Sequence, residues 1–446
     1  MSDVSHAPGD VVSDFVLAAT WHGSLERAEA ILAAHPEVAG SGIHAAAILG
    51  DDARVHRFLA VDPANATARR GPWGGDALNY LGLSKYLRLR PERSEGFLRA
   101  ATALLDAGAD PNTGFWTTGQ FPEFETALYG AAGVAHHAGL TRLLLERGAD
   151  PNDGEAVYHS PETYDNAAMR LLVETGRVTA DNLSIMLIRK HDWHDYEGAR
   201  WLLEHGASTN AVRSRGWCPI HHALARDNAL EMIVLLLDHG ADPGVVADGM
   251  TAIARAAREG RGDVLGLLEQ RGIALDLAGV DRLIAACARG DAAAARALAG
   301  REPGLVGELR AIGGDLLAKF AGTGNAPGVA LLLDLGVDVA APFAAGDGYF
   351  DVAKGSLALH VAAWRARPEV VGLLIARGSP TDVPDAKGRT PLALAVKACV
   401  DSYWSERCAP ESLRALLDAG ASVSHVAFPT GRADVDEVLR AYGAGA

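Results

Sequence analysis

General acid–base chemistry needs imidazole, carboxylate and cationic side chains within hydrogen-bond reach of one another. The middle of this chain is dense in them. The stretch 157–162 (VYHSPE) carries Tyr158, His159 and Glu162, and the stretch 189–195 (RKHDWHD) carries Lys190, His191, Asp192, Trp193, His194 and Asp195. Arg215, Trp217, His221, His222 and Arg226 follow in SRGWCPIHHALAR, while Trp116 and Glu125 stand upstream in NTGFWTTGQFPEFE. A catalytic assignment takes Glu162 or Asp192 as general base and His159, His191 or His222 as the acid. Lys190, Arg215 and Arg226 would hold an anionic small molecule, and Trp116, Trp193 and Trp217 would shield it from water. Hydrolysis, isomerisation and elimination all fit such a set.

Established catalytic signatures are missing. There is no G-x-S-x-G elbow, no Walker loop and no G-x-G-x-x-G behind a strand. His191 and His194 are three apart, but no H-E-x-x-H and no Cys/His pairing accompanies them, so no metal and no cofactor is expected. The 446 residues exceed one ordinary core, so the chain is several domains or one repeat array. Hydrophobic residues are 49% but aromatics only 6%, a composition dominated by Ala, Leu and Val that suits closely stacked helices. A net charge of −15 disfavours nucleic acid and anionic lipid as partners. The six Lys against 35 Arg read as the coding bias of a GC-rich, bacterial genome.

Cys218, Cys287, Cys399 and Cys408 form no C-x-x-C pair, which points to separate thiols in a reducing compartment. Residues 1–10 carry no apolar signal core, and no 18-residue apolar run crosses a membrane, so the expected location is the cytoplasm.

The elements that position the chemistry repeat. GADPN at 108–112 returns at 148–152 and, as GADP, at 240–243; looser copies start at Gly206, Gly336, Gly378 and Gly420. Each closes a Leu-striped run such as TRLLLERG, where Gly ends the helix in a left-handed conformation. Ahead of these runs stands a second phrase: TALYGAA at Thr126, CPIHHAL at Cys218, TAIARAA at Thr251, LALHVAA at Leu357 and TPLALAV at Thr390. The alternation resembles the ankyrin repeat, whose Thr caps the first helix, whose Pro occupies its first turn and whose Ala pair lets helices pack closely. The resemblance implies an all-α solenoid of stacked helix pairs with protruding loops and a concave groove. About twelve repeats start near residues 13, 41, 76, 126, 155, 182, 218, 251, 281, 315, 357 and 390. The array would run from 13 to 431, after a disordered or capping segment 1–12 and before a capping helix in 432–446.

In such a fold the positions after the Ala pair face the groove. That row reads Glu162 and Thr163, Arg189 and Lys190, Arg226, Arg258 and Glu259, Arg289, Trp364 and Arg365, and Lys397. Its Arg content suits an anionic ligand or an acidic peptide. His44, His221 and His360 sit at the family's structural histidine; His159, His191, His194 and His222 do not. Two functions are therefore expected. The first is a binding protein that recognises a protein partner or anionic ligand in the groove, with Trp116, Trp193, Trp217 and Trp364 as anchors. The second is a small-molecule enzyme using the acid–base cluster.

Overall fold

The computed structural model describes residues 10–212, 218–404, 408 and 410–445. Helix pairs dominate it, and the chain divides into two compact units, Met1–Ala211 and Val212–Ala446. In the first unit the described pairs are Val11–Ala19 with Leu25–Ala34, Ile43–Ile48 with Asp52–Val61, and Ala77–Gly82 with Ser94–Asp106. Then come Ala127–Tyr129 with Ala138–Glu146, Gly154–His159 with Ala167–Glu174, and Ala180–Asp192 with Tyr196–Glu204. The second unit begins with Pro219–Ala225 and Leu230–Asp238 and ends on Pro391–Val400 and Glu411–Asp418, followed by Ala433–Ala441. An additional helix, Gly304–Ala311, precedes Gly313–Thr323 and was not expected.

The capping chemistry behaves as the repeat phrases suggest. Thr126, Thr251 and Thr390 each accept the N–H three residues on, from Tyr129, Ala254 and Ala393. Gly148 closes its helix at φ +101°, a conformation that side-chain-bearing residues resist, although the space around it is open. The structural histidines also take their places. Nε2 of His44, His221 and His360 bonds the carbonyl of Ala68, Val245 and Val383 at 2.8, 2.9 and 2.8 Å. Each such bond joins an inner helix to a residue about two dozen positions on, in the next connecting loop. Nδ1 of His360 also accepts the Leu357 N–H at 3.0 Å.

Two of the connections ahead of inner helices are hairpins. Gly114–Trp116 pairs antiparallel with Phe124–Thr126, and Pro342–Phe343 with Ser356–Leu357. Contacts also span several repeats within each unit. In the first unit, Trp21 donates its backbone N–H to Leu83 O at 2.8 Å and its indole N–H to the Tyr129 hydroxyl at 3.1 Å. In the second, the Asp227 carboxylate meets Arg261, Arg365 and Arg367 at 3.4, 2.8 and 3.0 Å. Turns several repeats apart are thus in direct contact within each unit.

One sequence expectation is corrected outright. Cys399 and Cys408 are joined in a disulfide, because the insertion between them folds back until their Cα atoms are 5.0 Å apart. Cys218 and Cys287 remain buried thiols. We expect His360→Ala, which removes both of these ring bonds, to lower stability by about 2 kcal/mol. Urea unfolding followed by circular dichroism measures it, and the exposed His205→Ala should stay within about 0.5 kcal/mol of wild type.

Candidate functional site

The hairpin rooted at Gly114 and Thr126 leads directly into the fourth inner helix. Its backbone is held from the third inner helix and the loop before it: Asn79 donates to Glu125 O at 2.9 Å, and Arg69 donates to Gly114 O at 2.8 Å. Phe115 is buried beside Trp73 and Trp21, with ring centroids 5.7 and 5.8 Å away. Beyond the hairpin, Ala127–Tyr129 continues into a π-helical stretch, Gly130–Val134. Such wide turns are rare and often sit at functional places. Gly130 is needed there, since a Cβ on it would stand 2.5 Å from the Gly82 carbonyl carbon.

Glu125 is 2% exposed, and among the described residues its Oε2 has no hydrogen-bond partner. Across from it, Asp153 caps the helix Gly154–His159 by accepting from Glu155 and Ala156 N–H, and takes the Thr126 hydroxyl as well. That start places Glu155 and His159 one turn apart on one helix face. Carboxylate oxygens of Glu123, Glu125 and Glu155 lie within 4.8 Å of one another. Desolvation, with Glu155 and Glu123 adding repulsion, pushes the Glu125 carboxyl up to about 8. Burial also raises the neighbouring Tyr129 phenol. These three carboxylates are the described residues able to hold a metal ion here.

His159 carries the cluster onward. Its Nε2 is 3.3 Å from Glu155 and its Nδ1 2.8 Å from Glu162. Glu162 pairs with Arg189, which pairs in turn with Asp192 and stacks over the Tyr158 ring at 4.1 Å. So Tyr158, His159, Glu162, Arg189 and Asp192 do come together, as one alternating chain of charges. Lys190 does not join them. It is fully buried, 2.9 Å from Asp195, and donates to Thr163 O at 2.6 Å. Asn166 donates to the same Asp195 oxygen at 2.9 Å. Burial pushes the Lys190 ammonium down. It also pushes the Asp195 carboxyl up, but the Gly198 N–H and Lys190 outweigh that and hold it below the ordinary carboxylate range. His191 is fully buried too, and Trp193 is half-buried with Tyr164 at 5.8 Å.

The other predicted residues lie in the second unit. Arg215 and Trp217 fall outside the described residues. His222 is buried, and Arg226 stacks on Tyr349 at 4.2 Å. Arg258 is bidentate to Asp281. Trp364 and Arg365 are buried, the latter against Asp227 and Phe350. The Arg row is therefore largely matched by carboxylates. Among the predicted aromatics that are described, Trp116 alone is strongly exposed, at 65%.

Sequence reasoning missed Glu123, Glu155, Trp21 and Tyr129. The first two had a signal. FPEFE sets Glu123 and Glu125 two apart at the start of a strand, and E-x-x-x-H-x-x-E puts Glu155 and His159 on one helix face with Glu162 just past its end. Trp21 had none, since it sits in a degenerate first copy.

The helix pairs, loop-to-helix histidine bonds and Thr caps are those of the repeat family that the phrases resemble. Residues 185–278 match the family model of ankyrin repeats, in three copies. The chain carries ankyrin repeats. "Putative E3 ubiquitin-protein ligase XBAT34" of Arabidopsis thaliana is 42% identical over 77 residues, 17% of this chain and 20% of that protein. "BCL-6 corepressor-like protein 1" of Homo sapiens is 46% identical over 59 residues, 13% of this chain and 3% of its own. The ankyrin chain thus spans a fifth or less of these curated relatives. No helix among the described residues is long and apolar enough to cross a membrane.

Two outcomes follow from the buried charges of this ankyrin array. Glu125 is protonated in the fold and ionised in the unfolded chain between about pH 4.5 and 8. Wild type therefore loses stability across that window, whereas Glu125→Gln does not. At pH 8 the variant should be more stable by roughly 1–2 kcal/mol, with no difference near pH 4; melting curves in metal-free buffer across the window test it. Asp195→Ala strands the Lys190 ammonium and should cost about 3–5 kcal/mol, much of it recovered in the double variant with Lys190→Met; urea unfolding of both reads this out.

Proposed function

We propose that this ankyrin chain is a non-catalytic binding module whose contact surface in residues 10–211 is the tip of the hairpin Gly114–Thr126. Ankyrin repeats are generally protein-interaction modules. The observation that carries the reading is a rigid root bearing exposed aromatics. Phe115 is buried at 4% exposure, while Trp116 is 65% and Phe121 76% exposed. Rings presented on a pre-ordered support lose little entropy on binding and are favoured contact anchors.

The partner chemistry is apolar and basic. Glu123 is exposed beside these rings, and residues 1–211 hold the larger share of the chain's negative charge. An anionic ligand in the Arg row is less well supported, because Arg189, Lys190, Arg258, Arg289, Arg365 and Lys397 each face a carboxylate. Catalysis by the predicted set is disfavoured for the same reason. Glu162 is engaged by His159 and Arg189, while Lys190 and His191 are out of reach of solvent.

The test compares wild type with Trp116→Ala/Phe121→Ala, immobilised in parallel and incubated with extract of the source cell. The expected result is a protein retained by wild type, reduced at least about tenfold on the double variant, with the melting temperature unchanged. If every retained protein binds both baits equally, the hairpin is not the contact surface and the reading fails.

A further inference from the structure

We propose that Glu123, Glu125 and Glu155 form a binding site for one hard divalent cation at the base of the hairpin. Two observations carry this independently. The first is the geometry. The three carboxylate oxygens lie within 4.8 Å of one another. One ion at about 2.1–2.5 Å from each of three oxygens spans separations of that size, with water completing the shell.

The second is Glu125 itself. Its side chain is almost fully buried, its carboxylate reaches the cluster, and its Oε2 has no hydrogen-bond partner among the described residues. Buried carboxylates are ordinarily paired or bound to metal. Other enclosed acids of this fold have partners: Asp195 has Lys190, Asp227 has three guanidinium groups, Asp385 has Arg389, and Asp76 and Asp436 have hydroxyl and backbone N–H donors. Among the described residues no Lys or Arg forms an ion pair with Glu123, Glu125 or Glu155. His159 lies 3.3 Å from Glu155.

The donor set names the ion class. Oxygen-only donors favour Mn²⁺, Ca²⁺ or Mg²⁺ over the nitrogen- and sulfur-seeking metals. Glu123 is exposed and gives the ion a way in from solvent. His159 sits behind Glu155 and, bonded on its other side to Glu162, fits the outer shell that orients a ligating carboxylate. Because two ligands come from the hairpin and one from the helix Gly154–His159, a bound ion clamps the hairpin root to the following repeat.

The experiment uses the full chain, stripped with EDTA and desalted, at fixed ionic strength and pH 7.5. Mn²⁺ binding is followed by electron paramagnetic resonance, and melting curves are recorded with 1 mM MnCl₂, CaCl₂ or MgCl₂. The expected result is one bound Mn²⁺ per chain and a melting temperature raised by about 3 °C or more by at least one of these ions. Glu125→Gln and Glu155→Gln should each weaken Mn²⁺ binding at least about tenfold while the helical circular dichroism stays unchanged. Glu155 is only half-buried, so its variant tests the site even where Glu125→Gln alters folding. The proposal is overturned by absence of bound Mn²⁺ with no rise for any ion. It is also overturned by equal binding to wild type and Glu155→Gln, which places the ion elsewhere on the acidic surface. A rise produced by n-butylammonium chloride and not by the metals overturns it too, making the pocket one for organic cations. These readouts need no partner protein, so they stand or fall apart from the hairpin-contact assay.

Discussion

A short helix pair has no core of its own. The inner helix Ala252–Arg258 is seven residues long, and its buried positions are Ala and one Ile. Such a helix gains its stability from the pairs above and below it, not from its own hydrogen-bond ladder. Successive pairs must therefore lie at one spacing and one angle, and the small residues and loop ties enforce this. The bond from His44, His221 or His360 to the next loop is the most explicit of these ties. Without it the loop carbonyl and the ring nitrogen would both be buried or half-buried with nothing to satisfy them.

That stacking constraint was the most legible part of the sequence. Thr caps, Gly ends and Leu stripes act over a few residues, so their physics is written in consecutive letters. TALYGAA and GADPN fix a helix start and stop wherever they stand, and the observed boundaries follow them. The structural role of His221 and His360 was readable for the same reason, being tied to a fixed position in the phrase. Legibility failed where a partner came from another repeat. Arg365 looked like a groove residue because it follows Trp364 at the end of an inner helix. Its partner Asp227 lies 138 residues earlier, and nothing in either neighbourhood announces the other. The disulfide shows the same limit, since spacing alone did not say that the insertion after Cys399 folds back to Cys408.

Lys190 illustrates how burial changes a residue's meaning. On a helical projection it is one step from Arg189 and seems to share its surface. In the fold Arg189 turns toward Glu162 and Asp192, whereas Lys190 drops between helices onto Asp195, Asn166 and the Thr163 carbonyl. A buried ammonium in that position adds little net stability compared with an apolar side chain, but it tolerates no loss of its carboxylate. Its value lies in fixing the turn after the sixth inner helix. In the adjacent run of His, Asp and Trp, whose composition suggested a pocket, Asp195 caps the next helix and holds Lys190.

The acidic cluster beneath the hairpin obeys the opposite rule. Elsewhere the fold answers several buried or half-buried acids with a counter-charge, as at Asp195, Asp227 and Asp385, or with hydroxyl and N–H donors, as at Asp76 and Asp436. At Glu125 it does not. Three carboxylates are gathered by a strand start that sets Glu123 and Glu125 two apart and by an Asp153 cap that aims Glu155 toward them. Neither element needs an acid at those positions for its own stability. Glutamine would satisfy the same backbone with no repulsion, so the acids work against the fold as it stands. A chain that neutralises Asp227 with three arginines does not lack the means to neutralise Glu125. The missing positive charge is then most simply supplied from solution, and the exposed edge at Glu123 is where it would enter.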